Sequence, residues 1–344
     1  LGGLPVNLGP RAIYRGGALS NALASLDIKP TGFAPSAAAS ISVVGALRRL
    51  PAKLGELLAD DFLDGADKRA LAMSFARIAV GALDVRDGDS VDVWLDRHAG
   101  TPKVSALLRM LIRVATYSND GAHDARLALH NLRRALTKGV TYVDGGWTSI
   151  VDALERVAPP AHTKRIESVD DVDADLVVVA TSYEEARALV PRLDRDRPDR
   201  KRVDVSCLDL VLSRLPDPSK RVAFGVDEPA YFSVHTRPDA PIDQPVIAHA
   251  MWSNVVERAV LESWMDRVQR GWRDVVVEAR YLSRMTVSTV PMANVARPET
   301  HLSNERCFLV GDYVDSGHIL ADGAAASAVA AAHAIVARTT KKAA

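Results

Sequence analysis

CFLVGDYVDSGHILADGAAASAVAAAHAIV, residues 307–336, runs from an apolar strand into Gly311-Asp312, through a short loop, and into a helix whose opening is read at Asp322-Gly323. In an open α/β sheet, ligands sit beyond the carboxyl ends of strands. There, helix N-termini present unpaired amides and the positive end of the helix dipole. An acid at such a strand end can accept hydrogen bonds from sugar or polyol hydroxyls. Gly323, Ala324 and the small residues after them let a flat ring approach the backbone. A purely structural reading stands beside this one: Asp312 ends a strand, Asp322 caps a helix and the alanines pack closely.

The rest of the chain fits an α/β protein. DADLVVVAT (173–181) is a continuous apolar run followed by the helix-like YEEARALV, the pattern of a sheet strand buried on both faces. From Ala66 to about Thr137, apolar residues recur at helical spacing between Gly, Asp and Pro punctuation, which predicts a helical subdomain. Gly145-Gly146 read as a turn, with a helix from about Thr148. From Val203 to about His249, short β-rich runs split by Pro and Gly predict antiparallel strands, followed by one helix over about Asn254 to Gln269. GFAPSAAASISVVGAL (32–47) reads as a loop, and RLDRDRPDRKR (192–202), with its alternating signs, as a solvated one.

Composition narrows the ligand. Of 344 residues, Lys plus Arg and Asp plus Glu number 43 each, so no global positive field recruits nucleic acid. A small molecule is the default ligand. Two cysteines, Cys207 and Cys307, lie in strand-like runs and read as reduced packing residues, which points to a cytoplasmic protein. No run approaches the roughly 18 uncharged apolar residues of a spanning helix, and the N-terminus lacks the layout of a signal peptide. Membrane contact, if any, would be peripheral. His123 and His130 sit seven apart on one predicted helix face, without a third ligand at metal spacing. No nucleophile elbow or Cys–base pair argues for covalent catalysis.

FLVGDYVDSGHILADGAAASAVAAA resembles the C-terminal flavin-binding signature of the FAD-dependent amine oxidase and phytoene desaturase superfamily, in which strand-Gly-Asp precedes a Gly-Ala-x-x-Ser helix. The resemblance implies that Gly311 and Asp312 meet the ribityl chain of FAD. It also implies that the helix opened by Asp322, through the amides of Gly323 and Ala324, faces the isoalloxazine. LGGLPVNLGPRAIYRGGALSNALASLDI (1–28) is similar to the segment after the second strand of that superfamily's dinucleotide fold. Gly2 and Gly3 would skirt the pyrophosphate, and Gly9, Pro10, Arg11 and Ala12 would pass the flavin. Leu4 stands where the family has Arg. YVDGGWTSIVDAL, DADLVVVAT, CLDLVLSRLP and RYLSRMTVSTVP follow in the order of the bacterial phytoene dehydrogenase-like branch.

The resemblance implies a Rossmann-like FAD-binding sheet from residues 1–30, 140–190 and 300–338, and a mixed β-sheet plus helical substrate domain from 31–139 and 191–299. It implies an FAD-dependent oxidoreductase moving a hydride from a lipophilic or amine substrate to flavin, with Tyr14, Arg15, Tyr231 and His235 as candidate cavity residues. The family's Gly-x-Gly-x-x-Gly turn does not occur in the sequence. The chain is therefore expected to begin one β-α-β unit late and to hold FAD poorly by itself. The competing reading is a flavin-free binding protein of the same architecture, as in Rab GDP-dissociation inhibitors, or an inactive fragment.

Overall fold

The β-rich residues after 200 assemble a seven-stranded mixed sheet. The structure is a computed structural model that describes residues 1–36, 39–50, 61–190, 193, 201–241, 243–301 and 306–343. The sheet contains β3 (Ser40–Val43), β4 (Ala46–Arg49), β7 (Arg202–Leu212), β8 (Val222–Gly225), β9 (Ala230–Val234), β10 (Val246–Trp252) and β11 (Val276–Thr289), in the order β11-β7-β10-β9-β8-β3-β4. Only β3 and β8 run parallel; the other pairs are antiparallel. Residues 40–47, read as part of a loop, instead belong to the edge hairpin β3–β4, which runs on to Arg49. Val44 (φ 50°) and Gly45 (φ 77°) supply the left-handed pair that a tight hairpin turn needs. Most of RLDRDRPDRKR lies outside the described residues.

One face of this sheet is conventional. Leu208, Leu210 and Leu212 of β7, Phe232 and Val234 of β9, and Ala248 and Ala250 of β10 bury against Leu261, Trp264, Met265 and Val268 of α8 (Arg258–Val268). The helix predicted from Asn254 thus begins four residues later. The alternate residues of the same strands point the other way and carry the polar groups described below.

The predicted helical subdomain is present as α2 (Gly65–Val80), α3 (Val91–His98), α4 (Pro102–Thr116) and α5 (Ala125–Lys138). Asp64, Ser90, Thr101 and Asp124 cap these helices through their side chains, so each starts where a short polar residue can accept a first-turn amide. Trp94, Leu95, Leu108, Met110, Leu129 and Leu132 form their common core. His123 precedes α5 rather than sharing its face with His130; it is 2% exposed and its Nδ1 lies 3.0 Å from the Asp124 carbonyl.

The chain's ends meet in a third region. β1 (Ile13–Tyr14), β5 (Val140–Val143) and β2 (Gly32–Phe33) form a small antiparallel sheet beside α1 (Ala18–Ser25) and α6 (Gly146–Val157). β6 (Val177–Val179) and β12 (Cys307–Leu309) pair in parallel, with α7 (Tyr183–Leu189) against them. The expectation that DADLVVVAT is buried on both faces needs correction: Val178 is 46% exposed, because among the described residues β6 pairs with β12 alone and that face is uncovered.

α9 (Leu320–Ala343) follows β12. It opens at Leu320, two residues before the Asp322-Gly323 start read from sequence, and Leu320 itself takes a left-handed φ of 57°. Its stretch Leu320–Thr340 has the length and mean hydropathy (1.5) of a membrane-crossing helix, which corrects the expectation that no run approaches one. The helix base nevertheless packs inside the fold on α1, where Asp322 and Ser327 are buried.

Candidate functional site

Asp312 sits just past β12, as the strand-end reading requires. Its Oδ2 accepts the Ser288 hydroxyl at 2.6 Å and the Thr289 amide at 3.0 Å, so the last residues of β11 fix the carboxylate. Its Oδ1 has no protein partner among the described residues. Gly311 is tied to α9 by the fully buried Ser327, whose hydroxyl accepts the Gly311 amide at 3.0 Å and lies 3.2 Å from its carbonyl. Arg297 closes the connecting loop by donating to the His318 carbonyl at 2.9 Å and to Asp315 at 2.9 Å.

Gly323 and Asp322 differ from the sequence reading. The Gly323 amide donates to the Ile319 carbonyl at 3.0 Å and is not open to a ligand. A Cβ at Gly323 would meet the His318 carbonyl oxygen at 3.1 Å and Asp312 Cα at 3.3 Å, so the helix lies tightly against the strand-end acid at this glycine. Ala324 offers its carbonyl to Ser327 at 2.9 Å. Asp322 does not cap its own helix. Its Oδ1 accepts the Leu19 amide at 2.9 Å in the first turn of α1, and its Oδ2 pairs with Arg134 of α5 at 2.7 Å. Gly17 begins α1 beside it, where any Cβ would fall within 2.3 Å of the carboxylate. A negative charge at a helix N-terminus is favourable, and here one helix supplies it to another.

The N-terminal segment lies across the polar face of the large sheet. Gly2 donates to the Glu278 carboxylate, and Gly3 (φ 70°) has open space around it. The Gly9 amide donates to Asp209 at 3.1 Å. With φ +69° and Cys207 Sγ 2.9 Å and Met285 Cε 2.7 Å from where a Cβ would stand, Gly9 is required for close packing on β7 and β11 rather than for passage of a ring. The Pro10 carbonyl accepts the Tyr117 hydroxyl at 2.9 Å, and Arg11 stacks over Trp147. Ala12, half-buried, leads into β1. Arg15 turns away, donating to Thr141 at 3.0 Å.

The structure brings Tyr14, Tyr231 and His235 together and adds Tyr117 and Tyr142, which sequence reasoning missed. The Tyr142 and Tyr231 hydroxyls are 2.9 Å apart, Tyr142 stacks on His235 with ring centroids 3.9 Å apart, and His235 Nε2 lies 3.1 Å from Ser233 Oγ. Burial pushes all four phenols up, Tyr14 further through Tyr117, and holds His235 well below the ordinary histidine value, with neighbouring His249 adding to it. Neutral hydroxyls and a neutral imidazole therefore define this region. Tyr14, Tyr117, Tyr231 and His235 keep partial exposure, whereas Tyr142 is buried.

Beneath them runs a row in strict register: Ser233 of β9 opposite His249 of β10, His249 opposite Asp209 of β7, and Asp209 opposite Arg280 of β11. Asp209 Oδ1 meets His249 Nδ1 at 2.7 Å, and Oδ2 accepts Arg280 Nη2 at 2.7 Å. Burial raises the Asp209 carboxyl, but His249 and Arg280 more than reverse this, so it is held below the usual range. A lone acid inside CLDLVL and a lone His inside VIAHAMW were the available signals, since a charge in an apolar strand requires a partner.

No family model and no curated protein sequence matches the chain. Solved structures do. An oxidoreductase from Methanosarcina mazei superposes with a TM-score of 0.66 at 13% identity, covering 92% of this chain and 85% of that one. A protein from Pyrococcus furiosus gives 0.65 at 16%, covering 92% and 81%. Cyclohexylamine oxidase from Brevibacterium oxydans gives 0.64 at 13%, covering 95% and 86%. At these identities the likeness is one of fold: a mixed α/β chain built like these proteins.

Proposed function

We propose that this chain is a flavin-dependent oxidoreductase acting on a small lipophilic or amine-bearing molecule. The observation that carries the reading is Asp312, one oxygen fixed by Ser288 and Thr289, the other open, at the end of β12 and against the first turn of α9. The shared fold with an oxidoreductase and with cyclohexylamine oxidase supports it.

FAD fits these residues in part. Asp312 would hold its ribityl hydroxyls, the opening turn of α9 would face its ring, and Gly3 leaves room for its phosphates. Gly9 and the Gly323 amide are already used by the fold. When bound, FAD supplies the hydride acceptor. The chain's own residues then orient the substrate: Tyr142, Tyr231 and His235 present neutral donors and ring faces, while the α8 side of the sheet excludes water behind them. Equal numbers of basic and acidic residues suit a small-molecule partner rather than nucleic acid.

FAD titration followed by quenching of flavin fluorescence tests the reading. Saturable binding that weakens in Asp312→Ala supports it. Equal FAD binding by wild type and variant removes Asp312 from the site, and no binding by either returns the protein to the flavin-free class.

A further inference from the structure

The Arg11 guanidinium is half-buried, and among the described residues no carboxylate or carbonyl accepts its N–H groups. Comparable side chains in this fold are satisfied: Arg134 by Asp322, Arg221 by the Thr236 carbonyl, Arg267 by Glu228 and Arg280 by Asp209. A guanidinium carries five N–H donors and stays charged at any pH the protein meets, so its role depends on no tautomer. Such a charge, partly desolvated and without a counter-charge, calls for an anion from outside the chain.

What Arg11 does touch leaves those donors free. Its guanidinium carbon lies over the Trp147 ring, 5.7 Å from the centroid, a contact to the π face that occupies no hydrogen-bond acceptor. Trp147 is itself held by its amide, which donates to Asn7 Oδ1 at 2.8 Å. The backbone that carries Arg11 is fixed on both sides: the Gly9 amide donates to Asp209, the Pro10 carbonyl accepts the Tyr117 hydroxyl at 2.9 Å, and β1 begins at Ile13. Tyr117 packs in one apolar cluster with Cys207 and Tyr231. Burial pushes the Tyr117 phenol and the Cys207 thiol up, and the nearby Arg11 charge draws both back, so the guanidinium stands on the tyrosine side of the segment.

We infer that Arg11 is a specificity-determining residue that binds a carboxylate carried by the small-molecule ligand, its fork of N–H donors meeting the two oxygens while Trp147 and Tyr117 face the ligand's apolar body. The inference rests on the small-molecule reading under "Proposed function" and deepens it, since the ligand becomes an organic acid. A phosphate of FAD shares the same oxyanion chemistry. The aromatic surfaces of Trp147 and Tyr117 suit a small lipophilic acid better than the hydrated sugar and phosphate chain of a dinucleotide.

Cyclohexanecarboxylate and cyclohexanecarboxamide share a shape and differ in charge. In calorimetric titrations of the full chain with FAD present, the carboxylate should bind about tenfold or more tighter, the worth of a hydrogen bond to a charged group. Arg11→Gln removes the charge and should bring the two probes within about twofold of one another. Arg11→Lys keeps the charge without the fork and should fall between. In the parent, the Arg11 Nε–H resonance should move downfield with the carboxylate and stay still with the carboxamide, a readout that needs no variant to fold. Equal binding of the two probes by the parent, or a preference for the carboxylate that survives in Arg11→Gln, overturns the inference. So does a parent that ignores both probes while Arg11→Gln weakens FAD but not riboflavin, which lacks phosphate: the guanidinium then serves the cofactor. An Arg11-dependent preference in a protein that takes up no FAD overturns the oxidoreductase reading instead and leaves the Arg11 contact standing.

Discussion

The Ser288 hydroxyl donates to Asp312 Oδ2 at 2.6 Å, so the end of the long strand β11 aims the acid at the end of β12. The two oxygens of Asp312 thus have separate duties. Asp312→Ala should weaken FAD binding by about 1.5–3 kcal/mol, the range for hydrogen bonds to charged groups, and should also lower stability. Ser288→Ala removes one of the two Oδ2 contacts and leaves the Thr289 amide in place, at a cost of about 1 kcal/mol in unfolding free energy, with FAD affinity close to that of the parent. Urea denaturation and FAD titration on both variants check the division. Equal loss of FAD in the two would show that Oδ1 is not the ligand-facing atom.

Gly9→Ala meets two obstacles at once, a left-handed backbone and a Cβ position 2.7 Å from Met285 Cε. We expect it to destabilise by about 1–3 kcal/mol. Met285→Ala in the same chain should restore part of that, because the flexible thioether is the neighbour that can be removed, while the backbone strain remains. A double-mutant cycle of urea midpoints measures the coupling.

Asp322→Ala removes both the cap on α1 and the partner of Arg134. The expected loss is about 2–4 kcal/mol, somewhat below the figure for fully buried pairs because the Arg134 side chain keeps 20% exposure. Asp322→Asn retains an acceptor for the Leu19 amide and loses the charge, so it should fall between Ala and wild type. If Asn matches wild type in urea unfolding, the ion pair contributes nothing and the cap carries the whole effect.

Acidification should erode stability in two stages. Burial holds His235 and His123 below the ordinary histidine value. The unfolded chain therefore takes up protons first, and stability falls as pH drops below about 6.5. Asp209 is held low by His249 and Arg280 against the opposing effect of burial, so its contribution is present above the unfolded carboxylate value and is lost as pH falls below about 4. Thermal midpoints across this range check the order. His235→Phe should make the upper stage shallower, with the share of His123 remaining, and leave the lower one. A profile that stays level from neutral pH to about 4 in the parent contradicts the assignment.

Local pattern made much of the architecture legible. The α2–α5 helices follow from apolar spacing and polar caps, and β7, β9 and β10 from short apolar runs between Pro and Gly. The hairpin at 40–49 was hidden because Ala, Ser and Gly carry little strand propensity, and its pairing with β8 joins residues far apart in sequence. The site divides the same way. Gly311, Asp312 and Gly323 could be marked from one stretch, since they meet through one strand and one helix. The Tyr142–His235 stack and the Asp209–His249 pair depend on which strands become neighbours. Asp322 was visible as a helix-start acid, but the helix it serves, α1, lies at the other end of the chain.

That contact between Leu19 and Asp322 spans 303 residues. It gives this part of the molecule very high contact order, and the entropy of closing so long a loop must be met before any pairing there is rewarded. At about 5–20 residues per second, an emerging α1 waits roughly 15–60 s for the helix that carries its acid. The helical subdomain can consolidate early from neighbours in sequence, whereas α1 and the Asp312 loop can acquire their final form only after synthesis has reached α9. Late assembly at this junction would make a small-molecule ligand bound there a report that synthesis has passed α9.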